Sequence, residues 1–238
     1  MLYQSRAIVL RTVRYGETSL IADLYTEQKG HQTFVINSVR KAKAVTPASF
    51  LQLMSLVEVV AYHQEQRPVN RIKELRLEYT YQSLPFDRLK SAVTLCLAEI
   101  CAKSIRTADP HPALFTFLRD RLIEYDRDPA TDNLFLIRFL VGLTPFLGFG
   151  LDLDHPAGDH ACFDLLEGCL VDTRPPQSYV MEAVDYNALR QVMTGDARMP
   201  PYAVRQRLID LLVLYYQLHV ESLREVHSIR VLRDLYAP

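Results

Sequence analysis

Clusters of basic residues near the N-terminus are the feature of this sequence that most clearly suggests a binding chemistry. Three groups occur: Arg11 and Arg14 with Tyr15, then Arg40, Lys41 and Lys43, and finally Arg67, Arg71 and Lys73. Clustered Lys and Arg side chains neutralise phosphates and release their counterions, and an aromatic ring gives a base a surface on which to stack. The pattern predicts that these residues bind nucleic acid, although a charged run such as 40–43 is also typical of a solvated loop.

The charge is divided unevenly along the chain. The formal net charge is −1, but residues 1–80 hold 11 Lys and Arg against 7 Asp and Glu, and residues 81–238 hold 16 against 21. This asymmetry indicates that the basic part meets a polyanion and that the fold divides near residue 80. The hydrophobic fraction of 49% and the charged fraction of 23% are typical of globular proteins and exclude a disordered or fibrous chain.

Short runs of β-branched and aromatic residues predict five strands in the first 80 residues. The runs cover residues 7–13, 20–26, 32–37, 51–62 and about 70–77. Gly16 and Gly30 fall between runs, where a turn needs positive φ. Five short strands fit a small closed barrel better than an open sheet, because a barrel leaves no strand edge unpaired.

From residue 86 the apolar residues follow the period of a helix. A stripe that begins at Leu89 continues through Cys96 to Cys101, so we expect both thiols to be small core residues. Further helices are predicted from Pro112, over 133–147, from Asp185 as a cap to Met193, over 202–225 and over 227–236. Arg138 lies in the almost fully apolar helix at 133–147, and its guanidinium must therefore reach the surface or meet an anion.

Possible metal ligands gather in an insert after Gly150. They are His155, Asp159, His160, Cys162 and Cys169. Their spacing includes no C-x-x-C or H-x-x-x-H pair, so we expect no metal and no cofactor. The sequence also lacks the motifs G-x-S-x-G, G-x-x-x-x-G-K-[ST] and G-x-G-x-x-G, so we expect no catalytic residues and no enzyme.

The N-terminal residues give no sign of export. Residues 1–11 lack the basic, apolar and small-residue order of a secretory signal. The longest nearly apolar run, 139–151, is too short to span a bilayer. We therefore expect a cytoplasmic protein with free cysteine thiols and no membrane contact.

Several segments resemble the bacterial RecO family of recombination mediators. They are 7–19 (AIVLRTVRYGETS), 24–27 with 29–30, 38–43 (SVRKAK), 146–154 (FLGFGLDLD) and 227–233 (HSIRVLR). The segments follow the family's order and separations along the whole chain, and the first is the most specific.

The resemblance implies a multidomain α+β fold. Residues 1–80 would form an oligonucleotide-binding (OB) barrel, and residues 81–238 an all-α helical domain with an irregular hairpin-like insert at about 150–178. Many family members carry two C-x-x-C pairs in this insert, whereas residues 153–158 lack the first pair here and Cys169 has no C-x-x-C mate. The insert should therefore be a degenerate, zinc-free version of a zinc ribbon.

The resemblance also implies a function in DNA repair and homologous recombination of the RecF-pathway type. Such a mediator binds single- and double-stranded DNA, anneals complementary strands, and helps load recombinase onto strands coated by single-stranded DNA-binding protein. Its expected partners are a RecR-type ring protein and the acidic C-terminal tail of the single-stranded DNA-binding protein. Arg138 and Phe139 are the expected contacts for that tail, and a nucleoid-associated location is implied.

Two other functions fit parts of the sequence. A barrel and a helical bundle could bind only other proteins, as an adaptor whose basic residues merely solubilise it. A metal-dependent hydrolase could use the potential ligands between His155 and Cys169.

Overall fold

The computed structural model describes residues 2–37, 39, 47–62, 67–130, 132–158, 160–176, 179–195 and 199–236. Contacts between residues divide the chain into two compact units. The barrel unit comprises Met1–Thr131 and His227–Pro238, and the second unit comprises Asp132–Val226. These units are not the predicted domains 1–80 and 81–238, because the barrel unit also contains residues 81–131 and the C-terminal helix. The domain boundary near residue 80 stays a prediction.

Five strands close into a barrel, as the sequence predicts. They are β1 (Leu2–Tyr15), β2 (Ser19–Thr26), β3 (Gly30–Ile36), β4 (Leu56–Tyr62) and β5 (Asn70–Leu77). Their order is β1-β2-β3-β5-β4, with β4 paired to β1 and β3 parallel to β5. The predicted α+β fold class, with an OB barrel ahead of a helical region, is confirmed.

Side-chain alternation separates the barrel core from its outer surface. Ala22 and Phe34 are fully buried, whereas their chain neighbours Ile21 and Val35 are only partly buried. Strand side chains alternate with a period of two, so each strand turns one apolar row toward the core. The core residues include Tyr3, Ala7, Val9, Leu24, Ile36, Val57, Val59, Ala61 and Leu75.

Three helices complete the barrel unit. They are α1 (Arg88–Ser104), α2 (Pro112–Arg127) and, numbered in chain order, α6 (Ser228–Tyr236). α1 packs against both β1 and α6. Cys96 and Cys101 are buried on α1, as the apolar stripe predicts. Burial raises the pKa of the Cys96 thiol to about 11 and that of Cys101 to about 12, so both thiols stay protonated at neutral pH.

The Glu99 carboxylate on α1 caps the start of α6. It accepts hydrogen bonds from the backbone N–H groups of His227 at 3.0 Å and Ser228 at 2.8 Å. Burial opposes ionisation of Glu99, but the hydrogen bonds from Lys103, Ser228 and His227 outweigh it and lower the pKa to about 2. An ionised carboxylate at a helix N-terminus also complements the helix dipole, so α6 is held on α1 by charge as well as by packing.

The second unit combines helices with a three-stranded sheet. Its helices are α3 (Phe135–Leu143), α4 (Ala183–Thr194) and α5 (Tyr202–His219), and its strands are β6 (Cys162–Asp164), β7 (Cys169–Val171) and β8 (Val180–Glu182). β6 and β7 form the predicted hairpin, and β8 pairs with the other edge of β6. The sequence does not predict β8, because three residues are too few to show a period. No described helix of either unit is long and apolar enough to cross a membrane.

Three helix boundaries in the second unit differ from the sequence prediction. α3 ends at Leu143 and a 3₁₀ turn follows, because Pro145 has no N–H to donate. Asp185 does not cap α4, which begins at Ala183; its carboxylate instead accepts hydrogen bonds from the Arg207 guanidinium at 2.7–2.9 Å. α5 ends at His219 rather than near residue 225.

The Asp126 carboxylate joins α2 to the segment that leaves the barrel. It accepts hydrogen bonds from the backbone N–H groups of Gln82, Ser83 and Leu84 at 2.8–3.0 Å. The Lys90 ammonium on α1 donates to the Ser83 hydroxyl at 2.8 Å. Asp126 and Lys90 are 3% and 2% exposed, and buried charges persist only where partners of this kind replace water. The Asp126 side chain therefore fixes the segment that connects the barrel to α1.

We expect Asp126→Asn to destabilise the barrel unit by about 3 kcal/mol, because a neutral amide oxygen is a weaker acceptor than a carboxylate and the amide NH2 group would replace the oxygen that accepts from the Gln82 N–H and the Tyr79 hydroxyl. Native-state hydrogen exchange at the amides of Gln82, Ser83 and Leu84 measures the loss. Asp120→Asn on the same helix is the matched control, because its side chain is half exposed.

The stability lost in the same variant should depend on pH. Burial alone would raise the Asp126 pKa, but the hydrogen bonds from Gln82, Leu84, Ser83 and Tyr79 lower it below its ordinary value of 3.8. The stabilisation is therefore complete above that value and is lost as the pH falls through the folded-state pKa. The stability difference between wild type and Asp126→Asn should shrink in acid; a difference that stays constant or grows would contradict this assignment.

Candidate nucleic-acid interface

The structure brings Tyr15, Arg67 and Arg71 together on the outside of the barrel. They line a cleft of about 650 Å³, here called the first cleft, together with Tyr62. The remaining described lining residues are Ile21, Val35, Asn37, Val69 and Asn70. Tyr15 is the last residue of β1, and Arg67 and Val69 come just before β5, so the first cleft lies beside the start of the β1–β2 connection and the described end of the β4–β5 connection. OB barrels use these two connections and the β2–β3 face to bind oligonucleotides.

Strand register explains why these side chains share one face. Ile21 on β2 pairs with Val35 on β3, Val35 pairs with Arg71 on β5, and Arg71 pairs with Tyr62 on β4. Residues paired across a sheet point to the same side. The four residues therefore form a continuous row around the outside of the barrel, while the next row, which includes Ala22, turns inward.

The first cleft joins exposed rings to free cations. Tyr15 is 57% exposed and Tyr62 is 48% exposed. Arg67 and Arg71 are exposed and make no ion pair with a carboxylate in the described part of the chain. The described lining contains no Asp or Glu. Such a cleft presents flat apolar surfaces beside positive charge, which suits unpaired bases joined by phosphates.

The other basic residues that the sequence predicts lie elsewhere. Arg11 Nη1 lies 3.7 Å from Asp23 Oδ2, and Lys73 Nζ lies 3.9 Å from Glu74 Oε1. Arg14 is exposed near the end of β1 but is not among the described residues of the first cleft. Arg40, Lys41 and Lys43 fall outside the described residues. The predicted site is therefore brought together only in part.

Tyr62 is a member of the first cleft that the sequence analysis missed. It ends β4, in which Glu58 is exposed and Val60 is partly buried, whereas Val59 and Ala61 are buried. Counting outward positions from Glu58 in steps of two reaches Tyr62. The alternation within β4 could have predicted that Tyr62 is exposed. That Tyr62 lies beside Arg71 depends on the pairing of β4 with β5.

Arg138 and Phe139 point in different directions from α3. The Arg138 side chain is 43% exposed and donates to the Asp132 carboxylate at 2.7 Å and to the Val192 carbonyl at 3.3 Å. Phe139 is 1% exposed and packs against Phe135 with ring centroids 5.9 Å apart. Consecutive helical residues are rotated by about 100°, so Arg138 lies at the surface while Phe139 faces the core. The predicted contact of both residues with a partner stays a prediction.

The insert does not offer a metal site in the part of it that the structure describes. Cys162 is buried and pairs across the sheet with Val171, whereas Cys169 is exposed and lies opposite Asp164. Among the described residues, no group of three or more His, Cys, Asp or Glu side chains could hold a metal ion. These residues do not fit the zinc ion that the resemblance implies for other members. Asp159 lies outside the described residues.

Two protein-family models match the chain. The model described as Recombination protein O N terminal matches residues 1–81. The model described as Recombination protein O C terminal matches residues 85–227. Together they account for most of the chain, in the order of the barrel and the helices.

Several relatives are similar to this chain over their whole length. A protein named DNA repair protein RecO from Bacteroides fragilis is 30% identical over 243 residues, covering 99% of this chain and 100% of that protein. Proteins of the same name from Christiangramia forsetii and Phocaeicola vulgatus are 30% and 27% identical over 242 and 243 residues, covering 99% and 100% of this chain and 100% of each relative. The similarity therefore extends over both units.

Proposed function

Because this chain belongs to the RecO family, whose role lies in DNA repair and recombination, we propose that it is a non-enzymatic mediator that binds DNA in the first cleft. One observation supports this proposal above all: the first cleft brings together two tyrosines and two arginines, namely Tyr15, Tyr62, Arg67 and Arg71. Its described lining residues include no carboxylate. Cations and rings on one surface are the chemistry of a binding site.

Binding in the first cleft would be independent of base sequence. The tyrosine rings stack on any base, since every base has a π-face, and the guanidiniums contact phosphates, which are the same at every position. Stacking needs unpaired bases, so a single strand would make both kinds of contact. Duplex DNA would make the phosphate contacts alone, which supports weaker binding to double strands.

The remaining parts of the proposal concern what this binding serves. Such binding would favour annealing of complementary strands. The bound cations neutralise phosphates, which reduces the repulsion between the two strands, and only one face of each base is covered. We further infer that the chain acts with a RecR-type ring protein and helps load recombinase onto strands coated by single-stranded DNA-binding protein. Its working location would be the cytoplasm, at the nucleoid.

Two substitutions in the first cleft test DNA binding. Tyr62→Ala should weaken binding of a fluorescent single-stranded oligonucleotide by about five- to 150-fold, the range expected for losing one stacked base. Tyr62→Phe should stay close to wild type, because it keeps the ring. Arg71→Ala should make the slope of log affinity against log salt shallower by about 0.7, because one phosphate contact is lost. Anisotropy titrations at several salt concentrations measure both effects.

Arg121→Ala is the matched control for charge. Arg121 lies on α2 of the same unit with its side chain 48% exposed and paired to Glu124 at 2.8 Å. Its removal should leave the salt slope unchanged. Equal effects of Arg71→Ala and Arg121→Ala would mean that the barrel's total charge, and not the first cleft, attracts DNA. If the wild-type chain fails to bind at any salt concentration, the adaptor alternative replaces the proposal.

Arg138 tests the expected contact with an acidic protein tail. The guanidinium already faces Asp132 and remains partly exposed, so a carboxylate of an incoming peptide can share it. Arg138→Ala should abolish binding of a peptide copied from the tail of single-stranded DNA-binding protein, measured by titration calorimetry. Arg174→Ala, which removes an exposed cation of the same unit, should keep the wild-type affinity. Equal affinity of wild type and Arg138→Ala would remove Arg138 from the tail site.

A further inference from the structure

A second cleft lies next to the first on the barrel unit. It has a volume of about 510 Å³, and its lining includes Lys29, His31, Arg67 and Asp109. Arg67 lines both clefts, so the two meet at this side chain. A ligand chain that leaves the first cleft past Arg67 therefore enters the second cleft directly.

The wall of the second cleft is built by a close approach of two backbone segments. The N–H of His31 donates to the carbonyl of Thr107 at 2.9 Å. A Cβ atom at Gly30, whose φ is +58°, would lie 2.4 Å from the carbonyl oxygen of Asp109. Only glycine fits there, so the loop before α2 is held directly against the turn between β2 and β3. The second cleft is thus part of the folded barrel unit.

The chemistry of the second cleft suits phosphates and hydrogen bonds more than stacking. Lys29 and Arg67 provide positive charge, and Lys29 makes no ion pair in the described part of the chain. Asp109 is the one carboxylate among the described lining residues, and it is exposed. Burial lowers the pKa of His31; the charge of Asp23 opposes this shift and that of Arg106 adds to it. The imidazole is therefore neutral at neutral pH and can donate or accept a hydrogen bond.

We propose that a single nucleic-acid strand whose bases stack in the first cleft continues past Arg67 into the second cleft, where Lys29 holds its phosphate backbone. This inference rests on the proposed function and adds to it a length requirement. Sites on single OB barrels span about 4–16 nucleotides. A short strand fills the first cleft only, whereas a longer strand reaches Lys29.

Strand length separates the two clefts in an experiment. Affinities are measured for oligodeoxythymidylates of about 5 and about 16 nucleotides. The measurements are made at low salt, because low salt strengthens phosphate contacts and so makes binding of the shorter strand measurable. Lys29→Ala should lower the affinity for the longer strand by about threefold or more and leave the shorter strand unaffected. Arg71→Ala should weaken both strands, and Arg121→Ala should weaken neither.

A second variant tests the inference through a gain of affinity, which a misfolded protein cannot produce. Asp109→Asn removes the one described carboxylate of the second cleft and keeps a side chain of similar size. It should raise the affinity for the longer strand by about twofold, because an exposed like charge repels phosphate weakly, and leave the shorter strand unchanged.

The outcomes distinguish the second cleft from the first. If Lys29→Ala and Asp109→Asn change neither strand, or change both lengths equally, while Arg71→Ala still weakens both, the strand does not enter the second cleft and the inference fails alone. If Arg71→Ala and Tyr62→Ala also have no effect, then the proposed function fails with it.

Discussion

The buried carboxylate of Asp126 is the contact on which the arrangement of the barrel unit most depends. Its hydrogen bonds to three consecutive backbone N–H groups set the direction in which the chain leaves β5 and enters α1. Lys90 adds donors to the Asp126 and Asp128 carbonyls at 3.4 and 2.5 Å, where the last carbonyls of α2 need partners. Because an unpaired buried charge costs several kcal/mol, these groups hold one geometry rather than several.

The barrel itself depends on alternation and closure. One row of each strand fills a core of mainly aliphatic residues, with Tyr3 and Phe34 among them, and the other row faces outward. The parallel pairing of β3 with β5 closes the barrel and places Val35 beside Arg71, although these two residues are far apart in sequence. The same backbone geometry that buries Phe34 therefore assembles the exposed face on which a strand of DNA would lie.

The two clefts offer different chemistries to the strand that we propose they bind. The first cleft offers rings and guanidiniums, and the second offers one lysine, amides and a neutral imidazole. Arg67 lines both clefts, so its charge would act on the proposed strand in both places. The second unit contributes a separate exposed cation, Arg138, whose pairing with Asp132 keeps it on the surface of an otherwise apolar helix.

The amino-acid pattern alone determined the five strands, the buried thiols of α1 and the basic character of the N-terminal part, because period, turn glycines and charge are local properties. It also singled out Tyr15, Arg67 and Arg71 by type. Only the tertiary structure decided that these three share a cleft with Tyr62, that Arg11 faces Asp23, and that Phe139 is buried. Those outcomes depend on strand register and helix rotation, which are set by contacts between residues distant in the chain.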